Sequence, residues 1–211
     1  FNTGRETFLL PVSWKDEWPT ILPQGQEIPY RHPAPTGLIS STGAMTQTGN
    51  FNWRDEFDSQ NLKLDWNLLR EFDQSWLKLA DDKLQIQAKP AGLDSMLQPA
   101  FVSRRQQHMY YESSTQLQVP AAGISAGMVA FQNEQYHYYL GVRRNADGAE
   151  IFLEQAAGSA PQQLLSQVVK GSQQQIQLKI SGDKGEVRFF YALGGVGGDQ
   201  AKADWQPLSS P

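Results

Sequence analysis

Cysteine is absent from the 211 residues, and histidine occurs three times. The first absence excludes disulfides and thiolate metal or redox chemistry. His32, His108 and His137 are far apart, with none of the short spacings of a zinc site. No GxSxG elbow or phosphate-cradling glycine loop accompanies them. Long apolar runs are also missing. None approaches the ~20 residues of a bilayer-spanning helix, so no membrane partner is expected. Positive charge is scarce and dispersed: 18 Lys and Arg stand against 22 Asp and Glu, for a net charge of −4, with doublets at Arg104-Arg105 and Arg143-Arg144. A surface that tracks phosphates needs a basic stripe, so nucleic acid is not an expected partner. The chain starts at Phe1 without the charged and apolar regions of a signal peptide, so any targeting segment is expected upstream, in a longer protein.

What is present is strand patterning. Six of the twelve prolines lie within the first 35 residues, which rules out long uninterrupted ladders there. A short strand is expected over Thr7 to Val12, then an extended linker over 21–50, whose last part is small, polar and glycine-bearing. From Phe51 to Pro211, short runs of period two alternate with turn residues, which predicts an all-β fold: a two-sheet antiparallel β-sandwich of around eleven strands behind an extended, proline-rich N-terminal segment. Leu84 and Ile86 are expected to face inward, as are Ile176, Leu178 and Ile180, and Val187, Phe189, Tyr191 and Leu193. The run Ile124 to Phe131 is apolar or small on both faces and predicts a central strand. Turns are expected at Asp81-Asp82, at Asp147-Gly148 and across Gly182 to Gly185.

Few residues suggest chemistry. Glycoside hydrolysis usually needs two carboxylates flanking the scissile bond, and Asp55, Glu56, Asp58 and the pair Asp81-Asp82 read first as edge and turn acids. No catalytic residue is therefore expected in this segment, and no cofactor is required. Calcium is the sharper alternative for Asp55 and Asp58, because hard cations take several oxygen ligands. In Gln135-Tyr136-His137-Tyr138-Tyr139, strand alternation sets Tyr136 and Tyr138 on one face and His137 and Tyr139 on the other. Either pair could line a sugar-stacking groove, with Tyr136 and Tyr138 as the candidates; core packing on one face and a cross-strand pair on the other is the competing reading. Trp53, Trp66 and Trp76 read first as packing residues.

The words Gly4-Arg5-Glu6-Thr7-Phe8-Leu9-Leu10-Pro11-Val12-Ser13-Trp14 and Asp16-Glu17-Trp18-Pro19 resemble a segment of glycoside hydrolase family 43. Trp53-Arg54-Asp55-Glu56-Phe57-Asp58, Trp66-Asn67-Leu68-Leu69-Arg70, Phe101 to His108, Gly127 and Phe131-Gln132-Asn133-Glu134 resemble the C-terminal half of its two-domain β-xylosidases and α-L-arabinofuranosidases. The resemblance implies a concanavalin A-like jelly roll over 51–211 and, in residues 1–20, the last strand of a catalytic β-propeller whose remainder lies upstream. It implies an inverting hydrolase with its carboxylates on that propeller, which would be the sandwich's partner, and xylo- or arabino-oligosaccharides as substrates. Arg5 would reach the substrate, as a guanidinium that stays charged and forks onto oxygens can do. Arg104, Arg105 and His108 would form a pocket-rim or domain-facing cluster, against the alternative of a strand-end ion pair. A free-standing lectin-like, carbohydrate-binding module is the alternative function.

Overall fold

The computed structural model describes residues 9–29, 32–33, 37, 51–70, 73–194 and 203–208. The chain divides into two compact units, the first essentially the residues up to Arg54 and the second Asp55–Pro211.

In the first unit, β1 (Ser13–Lys15) and β2 (Trp18–Thr20) form an antiparallel hairpin. Its turn residues Asp16 and Glu17 both have positive φ, 50° and 64°, the geometry of a two-residue hairpin loop. Trp14 and Trp18 are largely exposed. The strand expected over Thr7 to Val12 is corrected where it is described: residues 9–12 are not strand, and pairing begins at Ser13. Pro11 has no N–H to give a ladder, which places the hairpin after it.

The second unit opens with short elements: β3 (Asn67–Leu68), β4 (Leu77–Ala80), β5 (Lys83–Ile86) and β6 (Val102–Ser103). β3 pairs with β6 and β4 with β5. The β4–β5 turn is Asp81-Asp82, with φ of 55° and 52°. The long strands follow: β7 (Tyr110–Gln118), β8 (Ser125–Asn133), β9 (Tyr136–Asn145), β10 (Gly148–Ala157), β11 (Gln162–Lys170), β12 (Gln175–Asp183), β13 (Glu186–Leu193) and the two-residue β14 (Gln206–Pro207). They form two four-stranded antiparallel sheets, one in the order β11-β10-β9-β8 and the other β14-β13-β12-β7.

The core lies between these sheets. Leu140 and Val142 of β9, Ala149, Ile151 and Leu153 of β10, Ile176, Leu178 and Ile180 of β12, and Phe189 and Tyr191 of β13 are buried in one cluster. Alternation therefore sends Tyr139, Gly141, Arg143, Glu150, Phe152 and Glu154 to the opposite, outer face of the first sheet. Two cross-strand pairs set a ring flat over a glycine. A Cβ on Gly141 would lie 2.3 Å from the ring of its partner Phe152, and one on Gly182 would lie 2.1 Å from the ring of its partner Tyr111. Only glycine admits rings that close.

Three expectations are corrected. Leu193 and Ile86, each the last residue of its strand, are exposed rather than inward. The run Ile124 to Phe131 falls mainly in β8, which among the described residues is an edge strand of its sheet, not a central one. It is apolar on both faces for another reason. Met128 and Ala130 pack on the inter-sheet core, and Phe131 packs against Phe101 of the preceding segment, with ring centroids 5.0 Å apart.

Candidate functional site

The acids that suggested chemistry are structural where they are buried. The Asp55 side chain is 2% exposed. Its Oδ1 accepts from Lys63 Nζ at 2.7 Å and from the Phe57 amide at 3.1 Å, and its Oδ2 accepts from Trp66 Nε1 at 2.8 Å. Burial alone would raise this carboxyl, but the hydrogen bonds from Lys63, Trp66 and Phe57 outweigh it and hold the group below its ordinary 3.8. Trp66 stacks on Phe57 at 5.7 Å, so Asp55 ties a small aromatic unit together. Asp58 is exposed. Among the described residues no group of three His, Cys, Asp or Glu is gathered as a metal would need. The donor set at Asp55, already used by two N–H groups and an ammonium, does not fit calcium.

Arg5 lies outside the described residues. Arg104 is half-buried, 3.9 Å from Asp65 and 3.3 Å from Gln107 Oε1, while Arg105 and His108 are exposed. Tyr138 faces the inter-sheet core, with its ring 5.5 Å from Phe189 and its hydroxyl accepting from Gln155 Nε2 at 2.8 Å. That position leaves it no face for a sugar. Tyr136, on the same side of β9, is 48% exposed at the strand's start. Trp76 is buried, as expected of a packing residue; Trp53 and Trp66 are half-buried.

The polar chemistry gathers instead on the outer face of β9 and β10. The chain turns at Ala146-Asp147, so Asn145 pairs with Gly148 and each earlier residue of β9 meets a later one of β10: Arg143 opposite Glu150, Gly141 opposite Phe152, Tyr139 opposite Glu154. Arg143 forks onto Glu150 through Nε and Nη2, at 2.9 and 3.0 Å, and Nη2 also reaches Gln163 Oε1 at 2.9 Å. The hydrogen bond from Arg143 holds the Glu150 carboxyl below its usual range against the opposing effect of burial. The guanidinium lies 4.5 Å over the Phe152 ring, which is 1% exposed, and Tyr139 meets that ring edge-on at 5.5 Å. The Tyr139 hydroxyl donates to Ser125 Oγ at 3.2 Å. Burial pushes this phenol up, with Glu154 adding to the rise and the Ser125 bond opposing it.

Along the sequence Arg143-Arg144 stands as a charge doublet and the tyrosines as a separate run, so nothing local marks this cluster. Counting back from a turn at Ala146-Asp147 pairs Arg143 with Glu150, Gly141 with Phe152 and Tyr139 with Glu154, whereas counting from the expected Asp147-Gly148 would set Arg143 opposite Phe152.

Comparison with known proteins agrees with the fold. The profile of a family described as beta xylosidase C-terminal concanavalin A-like domain matches residues 54–211. The non-reducing end alpha-L-arabinofuranosidase BoGH43B of Bacteroides ovatus is 28% identical over 149 residues, which is 66% of this chain and 26% of that protein. The beta-xylosidase of Bacillus subtilis is 24% identical over 213 residues, 97% of this chain and 37% of that protein. Among solved structures, a GH43_12 protein retrieved from capybara gut metagenome superposes with a TM-score of 0.78 at 26% identity, over 99% of this chain and 40% of that one. A xylan beta-1,4-xylosidase from Bacillus halodurans C-125 shares the fold, with a TM-score of 0.72 at 23% identity over 95% of this chain and 38% of that one. The chain thus spans well under half the length of each of these proteins. Two stacked antiparallel sheets and a profile match running from Arg54 to the last residue place it in the beta-xylosidase C-terminal concanavalin A-like domain family.

Proposed function

We propose that this chain is the C-terminal accessory part of a glycoside hydrolase that removes xylose or arabinose residues from xylan-derived oligosaccharides by inversion, with its catalytic carboxylates on a β-propeller outside these 211 residues. One observation carries the reading: the matched family is a C-terminal domain, while three of the four half-buried acids among the described residues, Asp55, Glu134 and Glu150, are each paired with a cation, which leaves Glu154 without the second carboxylate that glycoside hydrolysis usually needs. A general acid must hold a proton near neutral pH and an inverting base must face a water. Carboxylates locked to Lys63, Arg70 and Arg143, two of them held below their ordinary values, suit neither task. The sandwich then supports a neighbouring catalytic domain, and Arg5 would complete that domain's pocket.

The test is an activity comparison with aryl β-xylosides and aryl α-L-arabinofuranosides. The 211-residue chain alone should release no aryl alcohol above background, and the protein encoded by the whole gene should turn over one of the two substrates. In that longer protein, Arg5→Ala should lower kcat/KM by at least ~100-fold, the loss expected for a charged group on substrate in a closed site. Enzyme-like hydrolysis by the isolated chain would refute the proposal.

A further inference from the structure

We infer that the outer face of the β11-β10-β9-β8 sheet is a binding site for a neutral oligosaccharide. The face carries unused hydrogen-bonding capacity. Glu154 is half-buried, and although its charge acts on Arg143 and Tyr139, among the described residues its carboxylate makes no side-chain hydrogen bond or salt bridge. Beside it, Gln163 spends its carbonyl oxygen on Arg143 and keeps its amide N–H groups; Arg143 spends Nε and Nη2 on Glu150 and Gln163 and keeps Nη1. Tyr139, Ser125 and Ser166 border the same surface, Ser166 opposite Phe152. Acceptors and donors thus alternate over a few ångströms around aromatic rings. Vicinal sugar hydroxyls, each able to donate and to accept, match that pattern.

The face is also built to stay in place. Arg143 is fixed on three sides by Glu150, Gln163 and the Phe152 ring, and Phe152 by Gly141 beneath it. The β10–β11 register shifts between Leu153 and Glu154, so that Leu153 faces Leu165 while Glu154 faces Gln163. Leu164 is left as the extra residue, 47% exposed. Bulges of this kind re-aim side chains and concentrate beside functional sites; here the bulge brings Gln163 to Arg143 across Phe152. Groups ordered before a ligand arrives lose less freedom on binding it. Charge narrows the ligand. One guanidinium and two carboxylates leave the patch with a surplus negative charge, which disfavours phosphates and uronic acids and admits neutral glycans. Xylohexaose is therefore the probe. Its choice rests on the function proposed above, whereas the existence of the site rests on the geometry alone.

The experiment follows backbone amide shifts of the 15N-labelled 211-residue chain during titration with xylohexaose. Saturable shifts are expected at 139–143, 150–154 and 163–166, with a dissociation constant on the order of 1 mM, the range open to a shallow surface site. Glu154→Ala and Gln163→Ala should each weaken binding about tenfold, the loss of one or two hydrogen bonds, with unchanged melting temperature. Glu186→Ala, in the β12–β13 hairpin, should change nothing. A glucuronic acid-bearing xylo-oligosaccharide should bind more weakly than xylohexaose. No saturable shift, shifts confined to the β14-β13-β12-β7 sheet, or binding indifferent to both substitutions would overturn the inference. So would the finding that Glu154→Ala and Gln163→Ala leave sugar binding intact but loosen association with a catalytic domain. Any of these results would leave the activity comparison standing on its own.

Discussion

The segment from Asp55 to Ser103 and the strands from Tyr110 to Leu193 belong to one compact unit but hold together by different means. The long strands bury an inter-sheet core in which Leu140, Val142, Ile151 and Leu178 are wholly excluded from water. The earlier segment has only short strands, two of them two residues long. It relies on polar anchors: Asp55 on Lys63, Trp66 and Phe57; Arg70 bridging Glu134 and the Leu97 carbonyl; Lys89 over Trp76 and onto Gln98. Non-directional burial fixes the sheets, where many residues share the load. Directional bonds fix the segment, where a single residue can release a whole turn.

That contrast can be broken most severely at Leu140. Leu140→Ala removes a side chain with no exposed surface and should cost about 4 kcal/mol, read as a lowered denaturation midpoint common to every probe. Gly141→Ala should cost about 3 kcal/mol, since its methyl would meet a Phe152 ring that is itself enclosed. A smaller, partial loss would show that the outer face can yield. Asp55→Ala should cost about 2 kcal/mol, the expense of orphaning buried donors, and should act locally: Trp66 emission and amide exchange over 57–66 should change well before the sheets melt.

Acid sharpens the same point. The folded Asp55 carboxyl lies below its ordinary value, so its contribution is fully present above the unfolded value near 3.8 and is lost as pH falls through the lower folded one. Trp66 emission should therefore move below about pH 4, and Asp55→Asn should abolish that step. The smallest effect is expected at Arg188, which pairs with Glu186 where both are exposed. Arg188→Ala should shift stability by no more than about 0.5 kcal/mol.

Much of the sandwich was legible in the chain because a strand's period of two is local. Gln175 to Ile180 alternates, and Ile176, Leu178 and Ile180 are buried. The turns at Asp81-Asp82 and Lys184-Gly185 lie where the small and polar residues stand, while the β9–β10 turn falls at Ala146-Asp147, one residue before the expected Asp147-Gly148. Periodicity states which residues share a face, but not which face is covered. Tyr136 and Tyr138 were correctly set together, yet only the packing of Phe189 on Tyr138 shows that their side is the core. The same limit misplaced β8, whose two apolar faces record a neighbouring loop at Phe101 rather than flanking strands.

The sequence by itself determined the all-β class, the alternation within the long strands and the hairpin turns, because each depends on residues a few positions apart. The tertiary structure alone decided that Asp55 anchors a tryptophan instead of holding a cation, and that Arg143, Glu150, Glu154 and Gln163 converge over Phe152. Those groups come from three strands, and their meeting depends on register, a bulge and the burial of the opposite face, none of which a linear pattern encodes.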